Sequence, residues 1–324
     1  MQIFRHIDEI PASFGSSVVT IGNFDGVHCA HRMVIDEVIA RARSRNVRSI
    51  AVTLDPHPAR VLHPESTLRL ITPLARKLEL FAETGLDAVL VLPFDLAMAR
   101  TSAHDFATVV LRDKLQAVEV HEGENFRFGY QAEVGVAGLE EIGREMGFAV
   151  RVFHPKIMRG GVVSSSRIRE LIKSGNVELT RTLLGRPFSV DSTPASGRGY
   201  GTKYTVPTIN LAEYRELLPA NGVYATEMQI GEGSGAVTFE GVTNAGNRPT
   251  FGADSFAVES FLFRFQPIAL TEDTPIRLTF YKRLRAEMTW PSPEALKAQI
   301  ARDVVRAERW FALRKALAQR KVAG

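Results

Sequence analysis

The sequence predicts two domains of different class: an α/β domain with a parallel sheet over residues 1–185, and a small antiparallel β-barrel with a closing helix over residues 186–324. The chain has 324 residues, more than one ordinary hydrophobic core accommodates. In its first half, apolar strand-like runs alternate with segments of helical periodicity. After about residue 185, short β-like runs follow one another closely and are separated by glycines and prolines.

The α/β prediction rests on five apolar runs, at 17–24, 49–55, 88–94, 117–123 and 149–155. Helical patterns separate them, first at Ile35, Val38, Ile39 and Ala42, then near 75–84, 103–115 and 137–147. Near-continuous apolar strands joined by helices predict a parallel sheet covered on both faces. Because open α/β sheets bind ligands at the carboxyl ends of their strands, the first strand–helix junction is a candidate ligand site.

The β domain is predicted from six runs: "GRPFSVDST", "VPTINL", "GVYATEMQI", "AVTFEGVTNAG", "FAVESFLFRF" and "PIRLTFYKRL". From Ser292 onward the spacing changes to that of a long helix, with Leu296, Ile300 and Val304 on one face. Closely spaced strands followed by one helix predict a small barrel closed by that helix. The stretch at 169–185, "RELIKSGNVELTRTLLG", is predicted to be helical and precedes the domain boundary.

Composition excludes several classes of protein. No apolar run reaches the roughly 18 residues of a membrane span. The N-terminal "MQIFRHIDEI" lacks the long apolar core of a secretory signal. Cys29 is the one cysteine, so no internal disulfide is possible, which fits a reducing compartment. We therefore expect a cytoplasmic protein that does not act at a membrane.

The charge distribution indicates small anionic ligands. The net charge is +4, and much of the basic excess lies in the C-terminal "ARDVVRAERWFALRKALAQRKVAG". The helix dipole favours basic residues near the C-terminal end of a helix. This segment is therefore interpreted as a solvated helix and not as a nucleic-acid-binding face. A modest positive charge suits nucleotides. The expected partners are small molecules without nucleic acid, and self-association is left open.

The first candidate site is "GNFDGVHCAH", residues 22–31. A helix N-terminus offers free N–H groups and favours phosphate. Gly22 and Gly26 allow close approach of the backbone to a ligand. His28 and His31 are three apart, so both can lie on one side of the first helical turn. These parts suit attack on a phosphorus of a nucleoside triphosphate. The alternatives are two surface histidines or half of a metal site.

This segment resembles the signature of the prokaryotic bifunctional riboflavin kinase/FAD synthetase family. Three further segments agree with the family in order and spacing: "VTLDPHP" (52–58), "GENFRFGY" (123–130) and "VSSSRIRELI" (163–172). The similarity continues through nearly the whole chain. It implies that the first domain is a Rossmann-like nucleotidyltransferase domain. There the phosphate of FMN would attack the α-phosphorus of ATP, and pyrophosphate would leave with Mg²⁺.

The resemblance also implies roles for individual residues. The catalytic residues beside the phosphates would be His28, His31 and Arg169. The residues that bind ATP would be Gly22, Phe24, Asp25, Gly26, Ser165 and Ser166. Those at the flavin would be Asn125, Phe126, Phe128, Pro56 and His57. Taken alone, the serines are also typical of a helix N-cap and the two phenylalanines of core packing. Ala30 stands where the family has glycine, and its methyl group fits sterically if its φ is negative.

The second candidate site is "SGRGYGTKYTVPTINL", residues 196–211. Gly197, Gly199 and Gly201 suit a loop folded over phosphates. Thr208 and Asn210 offer hard oxygen ligands for Mg²⁺. The alternatives are a flexible connector and two solvent-facing strand positions. The segment resembles the riboflavin kinase motif, with Thr205, Val206 and Ile209 in place of its glycine, phenylalanine and alanine.

A second loop of that motif resembles "GVTNAGNRPTFG" (241–252), and Glu259 stands where the family has its catalytic glutamate. It would accept the proton of the ribityl 5′-hydroxyl as that oxygen attacks the γ-phosphorus of ATP. Without the resemblance, Glu259 is an exposed position on an alternating strand. The chain is thus expected to convert riboflavin to FMN and FMN to FAD. The alternatives are a monofunctional adenylyltransferase with an inactive C-terminal domain, and a flavin-binding protein without catalysis.

Overall fold

The computed structural model describes residues 1–195, 208–247, 256–266 and 268–322. Contacts within the chain divide it into two units, Met1–Arg167 and Ile168–Gly324. The domain boundary expected between residues 185 and 186 remains a prediction.

The strands of the first unit form one large sheet and two short antiparallel pairs. They are β1 (Gln2–Phe4), β2 (Ser17–Ile21), β3 (Arg48–Asp55), β4 (Ala88–Pro93), β5 (Ala117–Gly123), β6 (Arg127–Phe128), β7 (Val134–Gly135), β8 (Ala149–Phe153), β9 (Ile157–Met158) and β10 (Gly161–Val162). The sheet is parallel, in the order β1-β4-β3-β2-β5-β8, while β6 pairs with β7 and β9 with β10. The chain order reverses between β2 and β5, which places the topological switch point there.

The helices α1 (Cys29–Arg45), α3 (Leu74–Ala82) and α5 (Val136–Met146) correspond to predicted helical segments. The predicted segment at 103–115 is a short helix, α4 (Ala103–Phe106), continued by a π-helical segment (Ala107–Lys114). The short helix α2 (Pro58–Leu62) lies in "DPHP" and the residues after it. Single 3₁₀ turns lie at Ile7–Glu9, Ala12–Phe14, Met98–Arg100 and Tyr130–Ala132.

Two apolar clusters lie on opposite faces of the parallel sheet. Val19, Ile50, Leu90 and Val120 belong to one cluster. Val18, Ala51 and Val89 belong to the other, together with residues of α1 and α3. Neighbouring residues of one strand point to opposite faces, so strands buried on both sides are continuously apolar. The predicted parallel sheet is confirmed. The edge strand β1 was not predicted because it has three residues, of which two are exposed.

The second unit contains a curled antiparallel sheet. Its strands are β11 (Phe188–Ser192), β12 (Thr208–Asn210), β13 (Gly222–Ile230), β14 (Val237–Asn247), β15 (Phe256–Leu262) and β16 (Ile276–Ala286), and a 3₁₀ turn lies at Gly233–Gly235. The order is β11-β16-β13-β14-β15-β12. Just beyond the two end strands, Pro194 and Leu211 form an antiparallel bridge, so the sheet closes on itself. This confirms the predicted barrel.

Helices flank the barrel in the sequence. The stretch 169–185 is helical as predicted, but it belongs to two helices, α6 (Ser165–Lys173) and α7 (Val177–Leu184). Gly175 interrupts it with a φ of +77°, and the side chain of Asn176 accepts from the N–H of Leu179 to cap α7. The closing helix α8 (Pro293–Val322) places Ala307 and Phe311 in a core with Val223, Tyr281 and other strand residues. Among the described residues, no helix is both long and apolar enough to cross a membrane.

Candidate active sites

The loop at 22–28 joins the carboxyl end of β2 to the start of α1 and carries unusual backbone angles. Phe24 has a φ of +47° and Val27 a φ of +39°, and between them Gly26 has a φ of +90°. The left-handed region suits glycine, whereas a β-branched valine is a real outlier there. Such conformations cost on the order of 1–3 kcal/mol each and persist where the surrounding structure imposes them. The loop is therefore held in place by its neighbours.

Asp25 supplies part of that restraint. Its carboxylate, 2% exposed, accepts hydrogen bonds from the backbone N–H groups of Ile71 (3.1 Å) and Thr72 (3.0 Å). Its carbonyl oxygen accepts from the hydroxyl of Ser165 at 2.8 Å. The residue thus ties the loop to the segment before α3 and to the first residue of α6.

Phe24 packs inward from the same loop. Its ring meets the ring of His31 edge-on, with centroids 5.2 Å apart, and the ring of Phe81 at 5.4 Å. A Cβ atom on Gly22 would lie 3.3 Å from the Phe24 ring. The absence of a side chain at Gly22 therefore lets the ring of Phe24 pack closely against the backbone of the loop. This role is additional to the predicted one, in which Gly22 lets a ligand approach the backbone.

The two histidines lie together at the start of α1. His28 is the N-cap, and its Nδ1 accepts from the N–H of His31 at 3.3 Å. Their rings stack with centroids 3.5 Å apart and an angle of 17° between the planes. His28 is 4% exposed and His31 is partly exposed. Ala30 follows in the first turn of the helix, and its φ is not in the positive region. Two imidazoles and a helix N-terminus with its positive dipole end thus meet at one place.

A depression of about 430 Å³ adjoins this helix start. Cys29, Arg32, Met33 and Lys156 line it, together with Asp36 and Glu37 of α1. The two cations of this lining are matched by its two carboxylates, and Arg32 pairs with Asp36 at 3.6 Å. Lys156 was not identified from the sequence, since it lies far along the chain from the histidines.

Lys77 is a buried cation of this site that the sequence analysis did not identify. It is 5% exposed, and its ammonium donates to the carbonyl oxygen of Asn23 at 2.8 Å and to the hydroxyl of Thr53 at 3.3 Å. Burial lowers the pKa of Lys77, and the carboxylates of Asp25 and Asp55 partly offset this effect. A signal was present, because Lys77 falls on the apolar stripe of α3 with Leu74, Leu78 and Phe81.

The switch point between β2 and β5 also holds a buried acid. The β2–β5 ladder is paired as far as Val19 and Val120. Beyond it, the N–H of Ile21 donates to the side chain of Glu122 at 2.6 Å. Burial raises the pKa of Glu122 well above its usual range, which favours the neutral form of this acid. The side chain of Glu122 thus accepts a hydrogen bond that a backbone carbonyl would accept in a continuous β2–β5 ladder.

The predicted flavin residues lie on two segments at the carboxyl ends of β3 and β5. Asn125 is exposed in the turn after β5. Phe126 and Phe128 stack with centroids 5.4 Å apart and pack against the core, as the alternative interpretation expected. Pro56 is exposed after β3, and the Nδ1 of His57 accepts from the N–H of Ala59 to cap α2.

The remaining residues predicted at the first site lie on α6. Ser165 reaches the loop at 22–28 through Asp25, as described above. Ser166 is exposed in the first turn of the helix, and Ser164 accepts from the N–H of Arg167 at 3.3 Å. Arg169 is partly buried and belongs to the second unit.

The second candidate site is a pair of neighbouring strands, β12 and β15. The hydroxyl of Thr208 donates to Oε1 of Glu259 at 2.6 Å. Asn210 lies directly opposite Glu259 in the antiparallel register. Ile209, between Thr208 and Asn210, is buried. The three predicted polar residues therefore meet on one face of the sheet, although Glu259 is about 50 residues from the others in the chain.

Part of the predicted second site lies outside the described residues. This applies to Gly197, Gly199 and Gly201, and to the substituted positions Thr205 and Val206. The second loop, 241–252, is described as far as residue 247. Among the described residues, no group of three or more His, Cys, Asp or Glu side chains is placed to hold a metal ion.

Two family models match different parts of the chain. The family model described as FAD synthetase matches residues 10–167, and the model described as riboflavin kinase matches residues 184–311. Bifunctional riboflavin kinase/FMN adenylyltransferases of Escherichia coli strain K12 and Pseudomonas fluorescens are 32% and 31% identical to the chain. These alignments cover 97% and 95% of the chain, and 99% and 97% of the relatives.

The chain belongs to the bifunctional riboflavin kinase/FMN adenylyltransferase family. Family membership confirms the predicted enzyme, with a riboflavin kinase and an FMN adenylyltransferase in one chain. The monofunctional alternative is not favoured, because the riboflavin kinase model matches the C-terminal half. A crystal structure titled as a macrolide-efflux protein from Streptococcus pneumoniae is similar in fold, with a TM-score of 0.82 and 23% identity over 93% of this chain and 96% of that one.

Proposed function

We propose that FMN is adenylylated at the loop 22–28 and the first turn of α1, and that riboflavin is phosphorylated at β12 and β15. The observation that carries the first assignment is the stacked pair His28 and His31 at a helix N-terminus, beside a loop held in strained backbone angles. The second assignment is supported by the contact between Thr208 and Glu259.

In the adenylyl transfer, a phosphate oxygen of FMN attacks the α-phosphorus of ATP. The bond to the bridging oxygen breaks, and pyrophosphate leaves. Negative charge grows on the oxygens around the α-phosphorus, and the imidazoles of His28 and His31 and the helix N-terminus stabilise it. The other phosphates of ATP would be held by Ser165, Ser166 and Arg169. The two hydroxyls would donate hydrogen bonds, and the guanidinium would act as a fixed cation. Gly22, Phe24, Asp25 and Gly26 would shape the ATP site.

In the kinase reaction, the 5′-hydroxyl of riboflavin attacks the γ-phosphorus of ATP. The proton of the hydroxyl passes to the carboxylate of Glu259, and ADP leaves. Thr208 donates to Oε1 of that carboxylate at 2.6 Å and so fixes its orientation. Gly197, Gly199 and Gly201 would bind phosphates through the backbone.

The polar groups at the kinase site fit Mg²⁺. A hydroxyl, an amide and a carboxylate meet there, on Thr208, Asn210 and Glu259, and all three offer the oxygen ligands that this ion prefers. Mg²⁺ is commonly held by one or two protein carboxylates together with substrate phosphates, and the described part of this site supplies the carboxylate of Glu259. Thr208 and Asn210 would hold the ion, which would neutralise charge on the phosphates of ATP.

The flavin of FMN would lie near the carboxyl ends of β3 and β5. Asn125 is exposed there and can donate or accept a hydrogen bond. The stacked rings of Phe126 and Phe128 provide an apolar wall, and Pro56 and His57 shape the loop after β3. We place the enzyme in the cytoplasm, where ATP is available and a single thiol stays reduced.

The test follows the flavins in time. Purified protein is incubated with riboflavin, ATP and Mg²⁺, and riboflavin, FMN and FAD are separated by chromatography. We expect FMN to rise first and then to become FAD. Glu259→Gln is expected to stop the first step and leave the conversion of added FMN intact, whereas His31→Ala is expected to do the reverse. Normal FAD formation from FMN by His31→Ala would refute the assignment of the first site.

A further inference from the structure

We propose that Lys77 is a positioning residue for adenylyl transfer. From α3, it holds the loop at 22–28 in the conformation that the reaction requires. The inference rests on the proposed function of that loop. Lys77 lies on α3, and it contacts the loop through the backbone of Asn23 and not through any group that would meet the substrate. Its effect on the reaction would therefore pass through the loop.

The ammonium of Lys77 lies where two segments of the site meet. It donates to the carbonyl oxygen of Asn23 at 2.8 Å and to Oγ1 of Thr53 at 3.3 Å. Oγ1 of Thr53 lies 3.4 Å from the same carbonyl and can donate to it. Lys77, Asn23 and Thr53 thus form a closed triangle of contacts. It joins α3, the loop after β2 and the strand β3 that runs beside β2.

A buried lysine is an unusual choice for a purely structural contact. Lysine is almost never fully buried unless it is paired, because removing its charge from water is costly. Leu78, Leu80 and Phe81 of the same helix lie in an apolar core, and an apolar side chain at position 77 would extend that core. The buried charge of Lys77 is therefore better explained by a role at the loop 22–28 than by a contribution to the stability of the first unit.

The loop needs such a restraint because its backbone is strained. Phe24 and Val27 have positive φ angles, and Asn23 directly precedes this strained segment. α3 contacts two consecutive residues of the loop from one face, since Lys77 binds the carbonyl of Asn23 and Phe81 packs against the ring of Phe24. Without the ammonium, the carbonyl of Asn23 can turn away and the strained residues can relax.

A relaxed loop would change the geometry of the reacting groups. Phe24 contacts the ring of His31, and Val27 precedes His28, the N-cap of α1. Movement of either residue would shift the stacked imidazoles relative to the helix N-terminus. Rates of transfer reactions are sensitive to displacements of about 1 Å, which can cost roughly 100-fold.

The experiment compares Lys77→Met with wild type in the full-length enzyme. Methionine is close to lysine in length and adapts to irregular cores, so the variant removes the charge and little else. We expect kcat for the conversion of FMN to FAD to fall roughly 10- to 100-fold. The KM for FMN should stay within about threefold of wild type, because the ammonium of Lys77 is buried against Asn23 and Thr53 and is not placed to bind FMN.

Two controls separate positioning from a general loss of structure. The kinase step is measured on the same preparation and is expected to be unchanged. Lys114→Met removes a lysine of the same unit that pairs with exposed Asp8 at 3.0 Å, and it is expected to leave both steps unchanged. The unfolding midpoint of Lys77→Met should change little, because relief of the buried charge offsets the lost hydrogen bond and Thr53 can still donate to the carbonyl of Asn23.

The outcomes are distinct. A folded Lys77→Met variant with wild-type kcat for adenylyl transfer would overturn the inference, and so would a kcat loss that merely follows the unfolded fraction. If Lys77→Met does not fold, Thr53→Val tests the same triangle with a side chain of equal shape, and a several-fold lower kcat is expected. His31→Ala is assayed in parallel: if it leaves adenylyl transfer intact, the proposed site fails, whatever Lys77 does.

Discussion

Replacing Glu119 by Gln removes the carboxylate that anchors α1 to the sheet. Glu119 lies on β5 and is 2% exposed. It accepts from Nε of Arg41 at 3.0 Å and forms a second ion pair with Arg45, and both arginines lie in the last part of α1. On its other side, Oε2 lies 3.0 Å from Nε2 of buried His121. The helix that begins with the two histidines is thus held at its far end by one carboxylate.

The magnitude follows from the pKa of this group. The hydrogen bond from Arg41, with further contributions from His121 and Arg45, lowers the pKa of Glu119 from 4.5 to about 2 against the opposing effect of burial. At 1.36 kcal/mol for each pH unit, this difference corresponds to about 3 kcal/mol. The side chains of Arg41 and Arg45 are 30% and 43% exposed, so solvent screens part of the interaction. We expect Glu119→Gln to lower the free energy of unfolding of the first unit by about 2 kcal/mol at pH 7.

The sign of the pH dependence is fixed by the direction of the shift. The carboxylate stays ionised in the folded state down to a pH of about 2, whereas in the unfolded chain it takes up a proton near 4.5. The contribution of Glu119 to the free energy of unfolding is therefore complete above pH 4.5 and is lost as the pH falls towards 2. The difference between wild type and Glu119→Gln should accordingly shrink over that interval.

Hydrogen exchange measured by mass spectrometry is the suitable assay. The two tryptophans, Trp290 and Trp310, both lie in the second unit, so tryptophan fluorescence does not report on Glu119. Glu37→Gln is the control, since Glu37 pairs with Arg151 at 3.0 Å in a partly exposed position and its replacement should change stability by less than about 0.5 kcal/mol. Equal protection of α1 and β5 peptides in wild type and Glu119→Gln at pH 7 would contradict this reasoning.

Three further outcomes are expected. Ser165→Ala removes the donor to the carbonyl of Asp25; because such a bond is worth about 1 kcal/mol, FAD formation from FMN should fall about fivefold with the kinase step unchanged. Thr208→Val removes the donor to Glu259, and steady-state assays should show at least about a tenfold loss of riboflavin phosphorylation with adenylyl transfer intact. Chelation of divalent cations should stop both steps and added Mg²⁺ should restore them; full activity without the ion would contradict the role of Thr208 and Asn210.

The strands and most helices of the first unit could be predicted from the sequence because each is encoded by neighbouring residues. The apolar runs at 49–55 and 88–94 became buried parallel strands, and α3 followed from the spacing of its apolar residues. The division of 169–185 into two helices was missed, although Gly175 and Asn176 carry the signal for a C-terminal end and a new N-cap. The short edge strand β1 has no periodicity long enough to detect.

The sequence by itself determined the family, the two activities and the segments on which the candidate residues lie. The tertiary structure alone decided what holds those residues. Neither the backbone N–H groups that bind Asp25 nor the contact of Lys77 with Asn23, 54 positions away, leaves a local pattern. The pairing of Thr208 with Glu259 likewise depends on two strands that are distant in the chain. Periodicity reports which face of an element is buried, but it does not report which distant group lies opposite, since that is set by packing of the whole unit.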